Sequence, residues 1–196
     1  MNCISIDEHF RKDAASGQVL IRQLRWEDFE ELIENYYSFH DELQDNPDIG
    51  LILDEQKPSM QDEASWFCAL YSDVLSKKAI AYVAEIGGGP VGVCDIRSGT
   101  RRPVSHVGTL GIAILKEYRR LGIGEKLMTR SLAAARGLFD VIVLDVFSVN
   151  EGAKQLYAKL GFKSMGVLPM AVKRNGRYYD EERMYLVLGT ADGTDR

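Results

Sequence analysis

Residues 114–128, ILKEYRRLGIGEKLM, carry the chain from an apolar run through a loop with two arginines and two glycines into a helix. Glycine adopts backbone conformations closed to other residues and lets a ligand come close, and the first amides of a helix have no partner inside it. Such a loop suits an anion, phosphate first, because the unpaired N–H groups and the positive end of the helix dipole both favour negative charge. A strand, a loop and a helix in immediate succession also belong to the α/β pattern.

The flanking sequence extends that pattern. Residues 106–115 form the longest β candidate, and Gly108 and Gly111 mark either a bulge or a place where something lies against the backbone. Beyond the loop, Leu127, Met128, Ser131, Leu132 and Ala135 recur with helical period, and VIVLDVF, residues 141–147, is apolar on both faces and therefore central. Asn150 caps a further helix whose inner side carries Ala153, Leu156, Tyr157 and Leu160, and Gly161 ends it. Upstream, residues 18–24 alternate as a strand, 26–43 and 59–76 have helical spacing, and Asp41 to Glu55 reads as an acidic loop. AIAYVAEI and VGVCDI, joined by GGGP, predict an antiparallel hairpin. Residues 163–172 and 183–188 predict two last strands, joined across KRNGRYYDE, whose Asn175-Gly176 pair signals a turn. The expected architecture is a mixed α/β sheet of about seven strands with helices on both faces. One domain over residues 18–189 is expected, after a polar leader at 1–17 and before a disordered tail at 190–196.

Composition narrows the ligand. At 196 residues and 45% hydrophobic content the chain can bury one good core. A formal charge of −5 argues against nucleic acid as a partner, although Arg97, Arg101 and Arg102 form a local basic patch or a solvated loop. Cys3, Cys68 and Cys94 are odd in number and lack metal-ligand spacing, so neither a disulfide framework nor a metal site is indicated, and a reducing cytoplasm fits. No apolar run approaches the ~20 residues of a membrane span. The oligomeric state is not legible, and a homodimer stays open.

Spacing rejects two familiar phosphate loops. Lys126 follows Gly124 too late and precedes Leu127, which excludes the nucleoside-triphosphate loop. The dinucleotide fingerprint needs glycine or alanine where Leu127 stands, which leaves a nicotinamide oxidoreductase as a poor rival. Arg119, Gly122 and Gly124 instead match Gln/Arg-x-x-Gly-x-Gly/Ala, and NEGAKQLYAKLGF, with Asn150, Ala153, Leu156, Tyr157, Gly161 and Phe162, matches a second segment. Together they resemble the acyl-coenzyme A core of the GNAT-superfamily N-acetyltransferases, with some likeness to the ribosomal-protein alanine N-acetyltransferase subgroup.

That resemblance implies a splayed sheet and acetyl-coenzyme A as cosubstrate. It places the pantetheine arm along Ile112, Ala113 and Ile114 and against Asn150. It places the pyrophosphate on the amides of Arg120, Leu121, Gly122, Ile123, Gly124 and Glu125, with charge-assisted contacts from Arg119 and Arg120 or their solvation as alternatives. The chain departs from the family at Lys116, where many members have proline, and at Thr109, where a carboxylate often stands, so the base must come from elsewhere.

Acyl transfer to an amine needs an uncharged nucleophile and a proton for the leaving thiolate. Asp145 interrupts an otherwise apolar strand, at the place where the alanine N-acetyltransferases carry a catalytic glutamate. It either assists the amine or bonds nearby amides. Tyr157, two helical turns after Asn150 and on nearly the same face, is the expected proton donor by resemblance, although spacing alone also allows a core tyrosine. His106, Glu85 and Asp95 are weaker candidates. The acidic loop favours a cationic acceptor, such as a polyamine, a lysine or a basic peptide terminus, or has no role. A non-catalytic acyl-coenzyme A sensor is the rival class.

Overall fold

The computed structural model describes residues 18–46, 50, 51, 53, 56–99 and 101–189. The expected leader, the expected tail, Cys3 and much of the acidic loop lie outside the described residues. In chain order the elements are β1 (Leu20–Gln23), α1 (Phe29–Asp45), α2 (Met60–Leu75), β2 (Ala79–Ile86), β3 (Gly89–Ser98) and β4 (Val107–Ile114), then α3 (Ile123–Ala135), β5 (Val141–Phe147), α4 (Glu151–Lys159), β6 (Lys163–Arg174) and β7 (Arg177–Val187). The strands form one sheet in the order β1-β2-β3-β4-β5-β7-β6. Every neighbouring pair is antiparallel except β4 with β5.

The period of two along β2 sorts its side chains between two cores. Ala79, Ala81 and Val83 pack with Leu32 of α1 and Phe67 and Leu70 of α2. Tyr82, Ala84 and Ile86 face the other way and join Leu127, Met128 and Leu132 of α3. Helices therefore cover both faces, as the sequence predicts. Leu127 and Met128 are fully buried, each contributing about 2–3 kcal/mol of apolar transfer. The α2 helix starts where Ser59 Oγ accepts from the Asp62 amide at 3.2 Å and Asp62 Oδ2 accepts from the Ser59 amide at 3.1 Å. That reciprocal cap satisfies donors the helix cannot.

The last two strands differ most from the sequence reading. The last strand starts at Arg177 rather than 183, and β6 runs on to Arg174, so only Asn175 and Gly176 connect them. Both have positive φ, 49° and 74°, as a two-residue hairpin turn requires. The stretch Asp180–Glu182 lacks apolar alternation because β7 there pairs beside an exposed outer strand, and that hid it.

The sheet splits between its two parallel strands. Val107, Gly108 and Thr109 pair with Val141, Ile142 and Val143, and the ladder stops there. Beyond it β4 stays paired to β3 through Ile114, and β5 stays paired to β7 through Phe147. A gap with two partly unpaired strand edges opens at the C-terminal end of the parallel pair.

Candidate active site

Two cavities meet in that gap. The first, about 590 Å³, lies over the arginine-glycine loop and the start of α4. The second, about 340 Å³, lies between the sheet and α1. Gly50, Leu51, Ile112, Ala113 and Tyr157 line both.

In the loop, Arg120 and Gly122 adopt left-handed conformations, φ 64° and 75°. Gly122 ends the loop as the N-cap of α3, and its carbonyl accepts from the Lys126 amide at 3.2 Å. The amides of Ile123, Gly124 and Glu125 precede the first residue that can find a carbonyl within the helix, so they form a donor cluster at its positive end. A Cβ on Gly124 would stand 3.2 Å from Leu156 Cδ2 and 3.3 Å from Ile114 Cδ1. The glycine thus sets how closely α3 approaches α4 and β4.

The loop-and-pantetheine set predicted from sequence is brought together. Ile112, Ala113, Ile114, Arg119, Arg120, Gly122, Gly124, Glu125, Asn150 and Tyr157 all line the larger cavity. Leu121 is exposed and Ile123 points into the core, so each can contribute only its backbone. Asn150 Oδ1 accepts from the Ala153 amide at 3.1 Å, capping α4, while its amide nitrogen sits 2.1 Å from where a Gly50 Cβ would be. Glycine at position 50 is what lets the chain between α1 and α2 pass over Asn150.

Arg119 is used differently from the simplest expectation. Its guanidinium holds Glu42 of α1 with both oxygens, at 2.6 and 2.7 Å, and donates from Nε to the Ile114 carbonyl at 2.8 Å. It ties the loop to α1 and to the end of β4. Arg120 lies over α4, where a Cβ on Gly152 would come within 2.9 Å of its guanidinium nitrogens. The carboxylate of Glu125 pairs with Lys159 at 2.7 Å on the surface.

Tyr157 is 8% exposed, and among the described residues no donor or acceptor is bonded to its hydroxyl. Burial, with a smaller contribution from Cys94, pushes its phenol up to about 12. It is therefore a proton donor at neutral pH, not a base.

Asp145 stands past the last parallel pair and lines the smaller cavity. Arg183 of β7 grips both its oxygens at 2.7 Å. Its partner is thus a guanidinium rather than nearby amides. Asp95 lines the same cavity from β3, opposite Gly111 in the β3–β4 register. Its side chain is 18% exposed, and burial raises its carboxyl above the ordinary range although Arg97 pulls it down. Sequence reading gave Asp95 little weight, because the strand pattern alone does not show that Gly111 leaves the space beside it bare.

The remaining candidates fall elsewhere. Glu85 pairs with Arg22 at the β1–β2 edge. His106 is exposed and lines neither cavity. Arg97 turns onto Asp95 and lies over the Trp66 ring, 5.0 Å from its centroid, so it forms no patch with the exposed Arg101 and Arg102. Cys68 is exposed and Cys94 buried, both as free thiols. Among the described residues no acidic, histidine or cysteine cluster could hold a metal, and no helix is long and apolar enough to cross a membrane.

Known proteins resemble this arrangement. An N-alpha-acetyltransferase of Sulfurisphaera tokodaii is 39% identical over 80 residues, 40% of this chain and 44% of the relative. The chain spans about half the length of the curated relatives it matches. Two solved structures share the fold at a TM-score of 0.75. One is a ribosomal-protein-alanine N-acetyltransferase from Brucella melitensis, 21% identical over 86% of this chain and 99% of the other. The other is a phosphinothricin acetyltransferase from Sinorhizobium meliloti in complex with AcCoA, 19% identical over 90% and 92%. The family model described as acetyltransferase (GNAT) family matches residues 20–162, from β1 to the end of the second loop-and-helix segment, and the chain belongs to that family.

Proposed function

We propose that the protein is an N-acetyltransferase that moves an acetyl group from acetyl-coenzyme A to a primary amine by direct transfer in a ternary complex. The observation that carries this reading is the meeting of two cavities at Tyr157. One is lined by a helix N-terminus and glycines that suit a phosphate-bearing chain, the other by apolar side chains and two carboxylates. The bound AcCoA of the Sinorhizobium meliloti relative supports the choice of cosubstrate.

When bound, acetyl-coenzyme A supplies an activated acyl carbon and a thiolate leaving group. Pyrophosphate would lie on the amides of Arg120 to Glu125, and the pantetheine arm along Ile112, Ala113 and Ile114, where the β4 edge lacks a β5 partner. The larger cavity is bare where a side chain at Gly122 or Gly124 would intrude, which fits that chain. Asn150, whose oxygen caps α4, would offer its side-chain nitrogen to the arm. Tyr157 donates its phenolic proton to the departing sulfur. Asp145, fixed by Arg183, assists the amine by presenting negative charge to it across the smaller cavity. The acceptor is a small-molecule amine, a polyamine or an amine of a peptide or protein. The exposed free thiol of Cys68 agrees with a reducing compartment such as the cytoplasm.

The test is a calorimetric titration with acetyl-coenzyme A, with NADH in a parallel cell and Gly124→Trp as control. Saturable binding of the thioester, lost in the variant, is expected, followed by thiol release in an amine screen. Heat with NADH alone would overturn the reading. Tyr157→Phe should then lose turnover while keeping coenzyme affinity, which a sensor without turnover could not do.

A further inference from the structure

Resting on the transferase reading, we propose that Asp95 of β3 is the group that takes the proton from the acceptor ammonium, and that Arg97 positions it. The argument starts from the strand register. Asp95 pairs with Gly111 and Arg97 with Thr109, so these positions share the face that looks into the smaller cavity. Gly111 contributes no side chain, and a Cβ built there would meet Asp95 Oδ1 at 3.4 Å. The carboxylate therefore leans over bare backbone of β4, the strand that also lines the larger cavity two residues on at Ala113.

The two carboxylates of this cavity are not equivalent. Asp145 gives both oxygens to Arg183. Asp95 gives only Oδ2, to Arg97 Nε at 2.8 Å, and among the described residues no donor reaches Oδ1. Arg97 is itself held over Trp66, so it fixes the carboxylate without covering its second oxygen. Asp95 and Asp145 stand on opposite sides of β4, Asp95 on its paired neighbour β3 and Asp145 across the gap on β5. An ammonium entering between them meets one committed anion and one with a free lone pair.

The protons balance. The acceptor enters as an ammonium with three protons, and Asp95 takes one, freeing the nitrogen lone pair. The carbon–nitrogen bond forms as the carbon–sulfur bond breaks. Tyr157 protonates the thiolate, and the second proton leaving nitrogen restores the phenol. Asp95 releases its proton to solvent, which completes the turnover.

The groups that adjoin Asp95 or share its cavity are Arg97 and Cys94 on β3, Tyr36 on α1, Trp66 on α2, Asp145 on β5 and Tyr157 on α4. Burial raises its carboxyl and Arg97 opposes the rise. The active form is the carboxylate, so activity falls as pH drops through that raised value. Tyr157, pushed up to about 12, keeps its proton throughout.

The experiment compares pH profiles of kcat/KM for the native protein, Asp95→Asn, Asp145→Asn and Arg97→Ala, with melting temperature and acetyl-coenzyme A affinity as folding controls. Asp95→Asn should lose about 100-fold or more and lose its acid limb. Its deficit should shrink for amines already uncharged at the assay pH, which a merely structural role would not produce. Asp145→Asn should lose less and keep the acid limb. Arg97→Ala should move the limb upward by about half a pH unit or more. If Asp95→Asn keeps the limb and Asp145→Asn removes it, the base is Asp145 and only this proposal falls. If the native protein releases no thiol with any amine, the transferase reading falls and takes this proposal with it.

Discussion

The two cavities that meet at Tyr157 are built from different materials. The larger one is walled by glycines, helix-terminal amides and a strand edge, all from residues 112–125 and 149–157 apart from the crossing Gly50, Leu51 and neighbouring Asn46. The smaller one is walled by side chains of α1, α2, β3, β4 and β5 that lie far apart in the chain. A main-chain site recognises a constant ligand whatever its side chains are, whereas a side-chain site can be rebuilt for a new acceptor. On the proposed reading, the difference separates a coenzyme site made largely of main chain from an acceptor site made largely of side chains.

Substitutions can test how strict that division is. The largest effect is expected at the junction: Tyr157→Phe should lower kcat by about 100-fold or more with coenzyme affinity changed by less than about twofold, read by steady-state kinetics and calorimetry. A matching fall in affinity would mean that the tyrosine only fills space. Next is Gly124→Trp, whose side chain would have to enter space already bounded by Leu156 and Ile114. Coenzyme affinity should fall by about 100-fold, and binding that survived would put the pyrophosphate elsewhere. Glu42→Gln probes the two-point pair that ties the loop's Arg119 to α1. It should cost about 1–2 kcal/mol in denaturant unfolding and weaken coenzyme binding by roughly tenfold, because the loop loses its anchor on α1. The smallest effect belongs to Trp66→Ala. Removing the surface under Arg97 should raise the acceptor KM by about threefold and leave coenzyme affinity unchanged. Equal effects of Trp66→Ala on both ligands would dissolve the division.

The same contrast explains what the sequence made legible. The loop and the two helix starts were legible because they are local: Gly122 as the N-cap of one helix and Asn150 as the cap of another follow from local geometry. The match of Arg119, Gly122 and Gly124 and the role of Tyr157 came from the family resemblance, since spacing alone allows a core tyrosine. The strands of the two cores were legible from apolar alternation. Long-range pairings were not. Glu42 and Arg119 are 77 positions apart, and Asp145 and Arg183 are 38. Nothing near Arg119 signals that its charge is spent on α1 rather than on phosphate. Asp95 stood only among the weaker candidates because its placement over Gly111 arises only after the sheet has formed.

The termination of the β4–β5 ladder after Thr109 and Val143 has one more consequence. Within a continuous sheet every main-chain amide is occupied, and nothing extended can enter the plane. Three residue pairs hold the two wings together at one end, and beyond them the vacant edge can accept a flexible amide-bearing arm as if it were another strand. A substitution on a neighbouring helix cannot erase a peptide N–H or C=O. On the proposed reading, recognition of the donor by such an edge would be robust to sequence drift, and the side-chain cavity could diversify its choice of amine without risking the supply of acyl groups.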